Sequence, residues 1–184
     1  DKAQIAEPYG LDITNNGELL IVDRGNHALR RVNREGGIST IAGDGKYGYS
    51  GDGNRATEAR FNKPSGVAAS CDGSIYIADT GNHCIRKINR QGMIETYAGN
   101  GHAGYEGDGK FRKYAKFNRP GGVVVDIHNN IYTNDYGNNV IRMIGNDGIV
   151  HTVAGSGEFG YSGDGGKPIM ASLNKPYGLA VTKE

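Results

Sequence analysis

Cysteine is scarce in this sequence, with only Cys71 and Cys84 among 184 residues. Two cysteines exclude a disulfide-dense scaffold and a zinc site with four cysteine ligands. Long apolar runs are missing as well, because no stretch of 18 consecutive apolar residues occurs. The sequence therefore predicts no membrane-spanning helix.

An excess of either charge is also missing, since 21 Lys and Arg residues face 20 Asp and Glu residues and the net charge is +1. The basic residues occur as pairs among acidic ones rather than as a stripe. Nucleic acid and anionic membranes are therefore not expected as partners. The chain starts without Met and without an apolar targeting segment, which predicts a removed leader or a piece excised from a longer protein.

Glycine, in contrast, is abundant: 31 of the 184 residues are glycine, whereas glycine makes up about 7% of average proteins. The glycines follow a repeat of 56 residues, which is marked by Pro8, Pro64, Pro120 and Pro176. Three copies align without insertion or deletion, and 18 of their 56 positions are identical, eight of them glycine. A glycine that returns at one repeat position indicates backbone with positive φ or a close approach.

One repeat unit has the pattern of four short strands separated by turn residues. In the second copy the strands are predicted at 66–69, 74–79, 85–88 and 94–98, with turns at residues 72–73, 81–82 and 92. Such a unit is an antiparallel meander. A linker over residues 99–119 follows, and a helical turn is predicted within residues 110–117.

Residues 64–88 of the second copy, PSGVAASCDGSIYIADTGNHCIRKI, resemble the NHL repeat, which is named for an Asn-His-Leu sequence. The first copy has Asn26-His27 at the same positions as Asn82-His83, whereas the third has Asn139 in place of histidine. The resemblance covers essentially the whole chain. It implies a β-propeller, commonly of six and sometimes five blades. Such propellers mostly serve as interaction platforms, and a few relatives are lyases or hydrolases.

The predicted fold class is all-β: a partial β-propeller, over residues 1–184, of four-stranded antiparallel NHL-like blades. The predicted blades are residues 8–63, 64–119 and 120–175, and residues 176–184 are predicted as the first strand of a further blade. Three blades do not close a ring, since propellers have about 4–8. We therefore expect part of a six-bladed ring, completed by missing blades of a longer chain or by self-association of two chains.

The repeated polar residues form two groups. In the first, an Asp at the end of the second strand accepts backbone N–H groups of the following turn, and an Arg seven residues later bonds to it. These predicted structural residues are Asp23, Asn26, Arg30, Asp79, Asn82, Arg86, Asp135, Asn138 and Arg142. The second group lies in the linkers and supplies the ligand-binding candidates Tyr49, Asp52, Tyr105, Asp108, Tyr161 and Asp164.

Three interpretations of the linker residues stay open at this point. The tyrosines and the Gly-Asp-Gly bends pack each linker onto a blade, or they form one shallow site per blade. In such a site Tyr stacks on a sugar or short peptide, and Asp accepts its hydrogen bonds. Calcium is the third interpretation, but one carboxylate per loop falls well short of its 6–8 oxygen ligands, so no metal site is predicted.

No catalytic residue and no cofactor are predicted. The predicted channel-lining strands contain no histidine, the five histidines occupy four different repeat positions, and no nucleophile motif stands out. Cys84 is interpreted as a packing residue. The sequence predicts a non-catalytic protein-interaction or ligand-binding scaffold whose partner it does not specify. The alternatives are a lyase or hydrolase whose metal site is completed by absent blades, and a glycan-binding propeller.

Overall fold

A computed structural model describes residues 3–182 and contains three four-stranded antiparallel sheets. Each sheet is a meander of consecutive strands, which confirms the predicted all-β propeller fold class. The strands are β1 (Pro8–Ile13), β2 (Leu19–Asp23), β3 (Ala28–Val32), β4 (Ile38–Ala42), β5 (Gly66–Ala69), β6 (Ile75–Asp79), β7 (Cys84–Ile88), β8 (Ile94–Ala98), β9 (Pro120–Val125), β10 (Ile131–Asp135), β11 (Val140–Ile144) and β12 (Val150–Ala154).

Short 3-10 turns are the helical segments of this part of the chain. They span Ala56–Glu58, Thr80–Asn82, Arg112–Tyr114, Tyr136–Asn138 and Pro168–Met170. The turn at Arg112–Tyr114 falls within the helical turn predicted at residues 110–117. None of the helical segments within residues 3–182 has the length and apolar character needed to cross a membrane.

The hairpin between the second and third strands of each blade ends on a left-handed residue. His27, His83 and Asn139 have φ values of 51°, 55° and 55°. The linkers require glycine for a different reason. At Gly51 φ is +105°, and a Cβ atom would lie 2.7 Å from Cα of Ala59. Gly51 therefore allows the two limbs of the linker to approach closely.

Two apolar cores hold the blades together, and each lies between neighbouring blades rather than within one. The first joins the first and second blades around Leu29, Phe61 and Ile77. The second joins the second and third blades around Ile85, Phe117 and Ile131. The second blade is therefore covered on both faces, which is the packing typical of propeller blades.

The outward faces of the first and third blades are open within the described residues. Leu11 is 60% exposed, whereas Val67 and Val123 at the same repeat position are 5% and 3% exposed. On the third blade Ile141 is only partly buried, whereas Ile85 is fully buried. These faces match the prediction that three blades leave two apolar flanks uncovered.

Residues 176–182, predicted as a first strand, have no strand partner among residues 3–182 and are not hydrogen-bonded as a strand. The side-chain amide of Asn134 donates to the carbonyls of Pro176 and Tyr177 and holds the segment beside β9. Residues 183–184, the end of the predicted strand, lie outside the described residues. A strand requires a neighbour to pair with, so this prediction stays a prediction.

Candidate functional site

Each blade buries an aspartate and an arginine in the hairpin of its second and third strands. Nη1 of Arg86 lies 3.3 Å from Oδ2 of Asp79, and both side chains are fully buried. In the third blade Arg142 and Asp135 are equally buried and lie 3.4 Å apart. In the first blade the Arg30–Asp23 distance is 3.0 Å, but 15% of the arginine side chain is exposed.

The other contacts of these aspartates differ from the sequence prediction. Oδ1 of Asp79 accepts the backbone N–H of Asn62, which lies at the end of the preceding linker, at 2.8 Å. The predicted donor was a backbone N–H of the turn that follows Asp79. That turn contributes a side chain instead, because the amide of Asn82 donates to Oδ2 at 2.9 Å. The aspartate therefore joins the linker to the hairpin.

The linker that leaves the first blade contacts the buried arginine of the second. Oδ1 of Asp52 lies 2.7 Å from Nη2 of Arg86, and the ring centroid of Tyr49 lies 5.2 Å from its Cζ. The Tyr49 hydroxyl is 2.9 Å from Oγ1 of Thr96. Arg86 also donates to the carbonyl of Ser50 at 3.1 Å. We name residues 48–53, and their copies 104–109 and 160–165, the linker clasps.

The second linker clasp repeats the same contacts on the third blade. Asp108 lies 2.7 Å from Arg142, and the Tyr105 ring centroid lies 5.2 Å from the same guanidinium. The Tyr105 hydroxyl is 2.9 Å from Oγ1 of Thr152. The matched distances show one recognition geometry used twice. We name the surface that receives a clasp the clasp receptor; it consists of an Asn, an Arg and a Thr: Asn82, Arg86 and Thr96 in the second blade, and Asn138, Arg142 and Thr152 in the third.

Among residues 3–182, the third linker clasp has no clasp receptor bound to it, and the first blade has no linker clasp bound to it. Tyr161 is 91% exposed, and neither it nor Asp164 has a side-chain partner among residues 3–182. Arg30 contacts Asp23 and the carbonyl of Gln4 but no linker tyrosine or aspartate. The predicted ligand-binding residues therefore separate into four that contact neighbouring blades, namely Tyr49, Asp52, Tyr105 and Asp108, and two exposed ones.

Burial changes the proton affinity of the hairpin aspartates. It raises the pKa of Asp79 and Asp135 to about 6, although the nearby arginine and the hydrogen-bond donors oppose the shift. The unfolded chain has an aspartate pKa of about 3.9. Between these values the folded state binds more protons than the unfolded state, so these two groups make folding less favourable as pH rises.

We expect the free energy of unfolding to respond to this difference. The contribution of Asp79 and Asp135 is fully present below pH ~4 and is lost as pH rises through about 6. Asp79→Asn should remove part of the decline between pH 4.5 and pH 7, measured by urea unfolding. Glu58→Gln changes an exposed carboxylate and is the control. An unchanged pH slope in Asp79→Asn would contradict the assigned proton affinity.

The histidines of the hairpins have a structural contact in common. Nδ1 of His27 accepts the backbone N–H of Lys63 at 3.1 Å, and Nδ1 of His83 accepts that of Arg119 at 3.1 Å. In the third blade Oδ1 of Asn139 accepts the N–H of Lys175 at the same distance. Asparagine can replace histidine there because its Oδ1 atom accepts the same backbone N–H, at the same distance, as Nδ1 of histidine. Burial lowers the pKa of His27 and His83, which favours the neutral acceptor form.

The first strands of the blades surround a channel cavity of about 390 Å³. Its polar side chains include Asp12 and Ser65. Oδ2 of Asp12 accepts the backbone N–H of Ala69 at 2.7 Å, and Ser65 donates to the carbonyl of Gly121 at 2.6 Å. Both groups connect neighbouring first strands. Within residues 3–182, no three His, Cys, Asp or Glu side chains are grouped so as to hold a metal ion.

The opposite end of the blades has a different chemistry at each junction. Between the first and second blades a groove of about 720 Å³ is lined by Arg31, Arg55 and Arg90, together with Gln91 and Met93. The positions of these arginines are not basic throughout the repeat, because Phe111 stands at the position of Arg55. Exposed Cys71 lies on the same end, whereas Cys84 is buried, and both are free thiols.

Three tandem meanders, of which the first two each place a linker clasp on the following blade, define this chain as a β-propeller protein. A family model described as the teneurin NHL domain matches residues 46–106. NHL repeat-containing protein 2 of Gallus gallus is 38% identical over 104 residues, which are 55% of this chain and 14% of that protein. The matched family model and these relatives support an NHL-repeat family for this chain. The chain spans about a seventh of the length of the first curated relatives that it matches.

Solved structures agree on the fold. A protein of unknown function from Bacteroides thetaiotaomicron superposes with a TM-score of 0.73 at 23% identity, covering 94% of this chain and 41% of that one. A streptogramin B lyase superposes with a TM-score of 0.55 at 16% identity, covering 80% of this chain and 40% of the lyase. At such identities the similarity establishes the propeller fold alone.

Two features of the clasp receptors escaped the sequence analysis. The threonine that shares a hydrogen bond with the tyrosine hydroxyl was not singled out, although Thr40, Thr96 and Thr152 occupy an identical repeat position. The asparagine has a second role, because the Asn82 and Asn138 amides donate to the carbonyls of Gly48 and Gly104 at 2.8 and 2.7 Å. Identity across all three copies was the signal available for both.

Proposed function

We propose that this chain is a non-catalytic propeller scaffold that binds an acidic protein segment. The proposed binding surface is the arginine-lined groove between the first and second blades. It lies at the end of the blades opposite the turns that join their second and third strands, and we name this the variable end because its residues differ between the repeats. The observation that carries this proposal is that the internal repeated polar residues are already engaged in contacts between blades. The side chains that differ from repeat to repeat lie at the variable end, and they are the ones left to recognise a partner.

The linker clasps that contact a neighbouring blade have few polar groups left to bind a ligand. The Asp52 and Asp108 carboxylates are ion-paired at 2.7 Å, and the Tyr49 and Tyr105 hydroxyls are hydrogen-bonded to threonines. A sugar or peptide at these sites would have to displace contacts between blades. This engagement favours the architectural interpretation over the glycan-binding alternative.

The groove supports recognition of carboxylates. Arginine presents a planar fork of donors that matches a carboxylate. Arg31 pairs with Glu18 at 3.6 Å, and Nε of Arg90 donates to the carbonyl of Asp72. Arg55 and Arg90 are both exposed. Met93 and Ile75 add apolar surface to the same groove, which suits an extended peptide with alternating acidic and apolar residues.

Peptide binding tests the proposal directly. We expect a fluorescein-labelled hexaglutamate peptide to bind more tightly than hexalysine, and Arg55→Glu combined with Arg90→Glu to weaken binding at least tenfold. Lys167→Glu is the matched control, because Lys167 occupies the repeat position of Arg55 outside the groove. Fluorescence anisotropy measures the binding of both peptides to the wild type and to each of the two variants. Equal affinity for the two peptides, or equal loss in the control, would overturn the proposed surface.

The two alternatives are separated by further measurements. The lyase or hydrolase alternative requires a bound metal, so stoichiometric zinc that a His→Ala change abolishes would favour it. The glycan-binding alternative is best tested at Tyr161, whose ring is exposed. Glycan-array binding that Tyr161→Ala removes would favour that alternative over the scaffold.

A further inference from the structure

The two junctions between the described blades have the same backbone contact at the variable end. The backbone N–H of Ala56 donates to the carbonyl of Gly92 at 2.8 Å, and that of Arg112 donates to the carbonyl of Gly148 at 2.8 Å. Each linker then continues as a 3-10 turn. Because the two linkers meet the following blade in the same way, a difference in the space between the blades arises from the side chains.

The second junction is filled by side chains of the chain itself. Cζ of Arg112 lies 4.2 Å from the ring centroid of Tyr97 and 4.8 Å from that of Phe111. Nε of the same arginine donates to the Tyr97 carbonyl at 2.7 Å. A Cβ atom on Gly148 would lie 2.5 Å from Cε2 of Phe111 and 3.0 Å from Nη1 of Arg112. An aromatic ring and a guanidinium therefore cover Gly148.

The first junction has the same space without those side chains. A Cβ atom on Gly92, the counterpart of Gly148, would meet no atom within 4 Å among residues 3–182, its own chain neighbours aside. Gly92 lines the groove of about 720 Å³. This groove contains arginines but no aromatic ring. Smaller or charged residues stand at the positions of the three covering side chains: Ile41, Arg55 and Ala56.

We propose that this groove binds one aromatic side chain of an acidic protein segment, placed over Gly92 where Phe111 covers Gly148 at the second junction. The inference rests on the proposed function and adds the aromatic residue to it. The guanidinium of Arg55 contacts the bound ring, as that of Arg112 contacts Phe111. A guanidinium over the face of an aromatic ring is attracted to it. The ligand class is therefore an acidic peptide with one aromatic residue.

The groove combines partly exposed apolar surface with arginine side chains. Ile41 and Ile75 line it and pack against the core of the first two blades, but they are only partly buried. Arg90 is held by the carbonyl of Asp72, and Arg55 is exposed. An aromatic ring would cover the apolar surface and contact a guanidinium at the same time. An aliphatic side chain would provide only the first of these contacts.

A protein segment is the occupant that the second junction indicates, because protein side chains fill the equivalent space there. Single-stranded RNA also offers flat rings and negative charge, and it binds positively charged grooves. The net charge of +1 and the ion pair between Arg31 and Glu18 reduce the positive potential on which such binding depends. Tighter binding of fluorescein-labelled hexauridine RNA than of an acidic peptide with one aromatic residue would overturn the proposal.

Two fluorescein-labelled peptides test the preference for an aromatic ring. Each is hexaglutamate with its third residue replaced, by tryptophan in one and by leucine in the other. We expect the tryptophan peptide to bind about three- to fivefold more tightly in fluorescence anisotropy, because only the indole attracts a guanidinium. Binding of hexaglutamate without this preference would overturn the inference and leave the proposed function standing. Absence of hexaglutamate binding would overturn both.

Tryptophan emission gives a second measurement on the unaltered protein. The chain contains no tryptophan, so the indole of the unlabelled peptide is the only one in the sample. We expect its emission to shift to shorter wavelength at saturating protein, because the ring leaves water when it enters the groove. An emission maximum equal to that of the free peptide would overturn the proposal.

A double variant closes the groove without changing the net charge. Arg55→Phe combined with Ala56→Arg places the residue types of the second junction at the first, and it should abolish the tryptophan preference and the emission shift while hexaglutamate still binds. Lys167→Phe combined with Pro168→Arg makes the equivalent change in the third linker and is the matched control, which should retain both effects. Both effects surviving in the first variant, or an equal loss in the control, would overturn the proposed position of the ring.

Discussion

Replacing Arg86 by Ala should reduce the free energy of unfolding by about 3–5 kcal/mol, the range expected when one partner of a buried ion pair is removed. The loss is large because Arg86 serves two parts of the molecule. It neutralises the buried Asp79, and it binds Asp52 and the Ser50 carbonyl of the preceding linker. Urea unfolding followed by circular dichroism measures the change.

Arg30→Ala is the control for that prediction, because the same residue type occupies the same repeat position without a linker clasp bound to it. We expect the loss at Arg30 to be at most half that at Arg86. Equal losses would mean that the linker clasp contributes little to the stability of the second blade.

Ile85→Ala should cost about 2–5 kcal/mol, whereas Ile141→Ala should cost about 1 kcal/mol or less. The two isoleucines occupy the same repeat position, but Ile85 is fully buried against the third blade and Ile141 lies on an open face. Truncation in a closed core leaves a cavity, and truncation on an open face leaves little. The two variants therefore compare one chemical change in two environments.

Thermal and urea unfolding of the two variants measure this difference. A loss at Ile141 equal to that at Ile85 would contradict the open face of the third blade.

Much of the fold could be predicted from local signals. The β-branched and aromatic residues at 75–79 and the mixed apolar and basic residues at 84–88, separated by Gly81-Asn82, specify a hairpin through the preference of these residues for strands and turns. The 56-residue period then assigns the remaining strands. The seven-residue separation of Asp79 and Arg86 brings the pair together because the register opposes Asp79 to Cys84 and Ile77 to Arg86.

The clasp contacts could not be predicted in the same way. Tyr49 and Thr96 are 47 residues apart, and Asp52 and Arg86 are 34 apart, so each contact joins different repeat units. A repeated sequence does not distinguish a contact within one unit from the same contact with the next unit, because each residue type is present in both. Only the arrangement of the blades in space separates these possibilities.

The placement of the clasps also bears on how such a chain can change in length. Each internal linker clasp contacts the blade that comes after it, and every 56-residue unit contains one linker clasp and one clasp receptor. Duplication or deletion of a whole unit therefore leaves every internal linker clasp next to a clasp receptor. The number of blades can therefore vary between descendants of one gene without any compensating substitution, and what must adapt is the curvature of the ring.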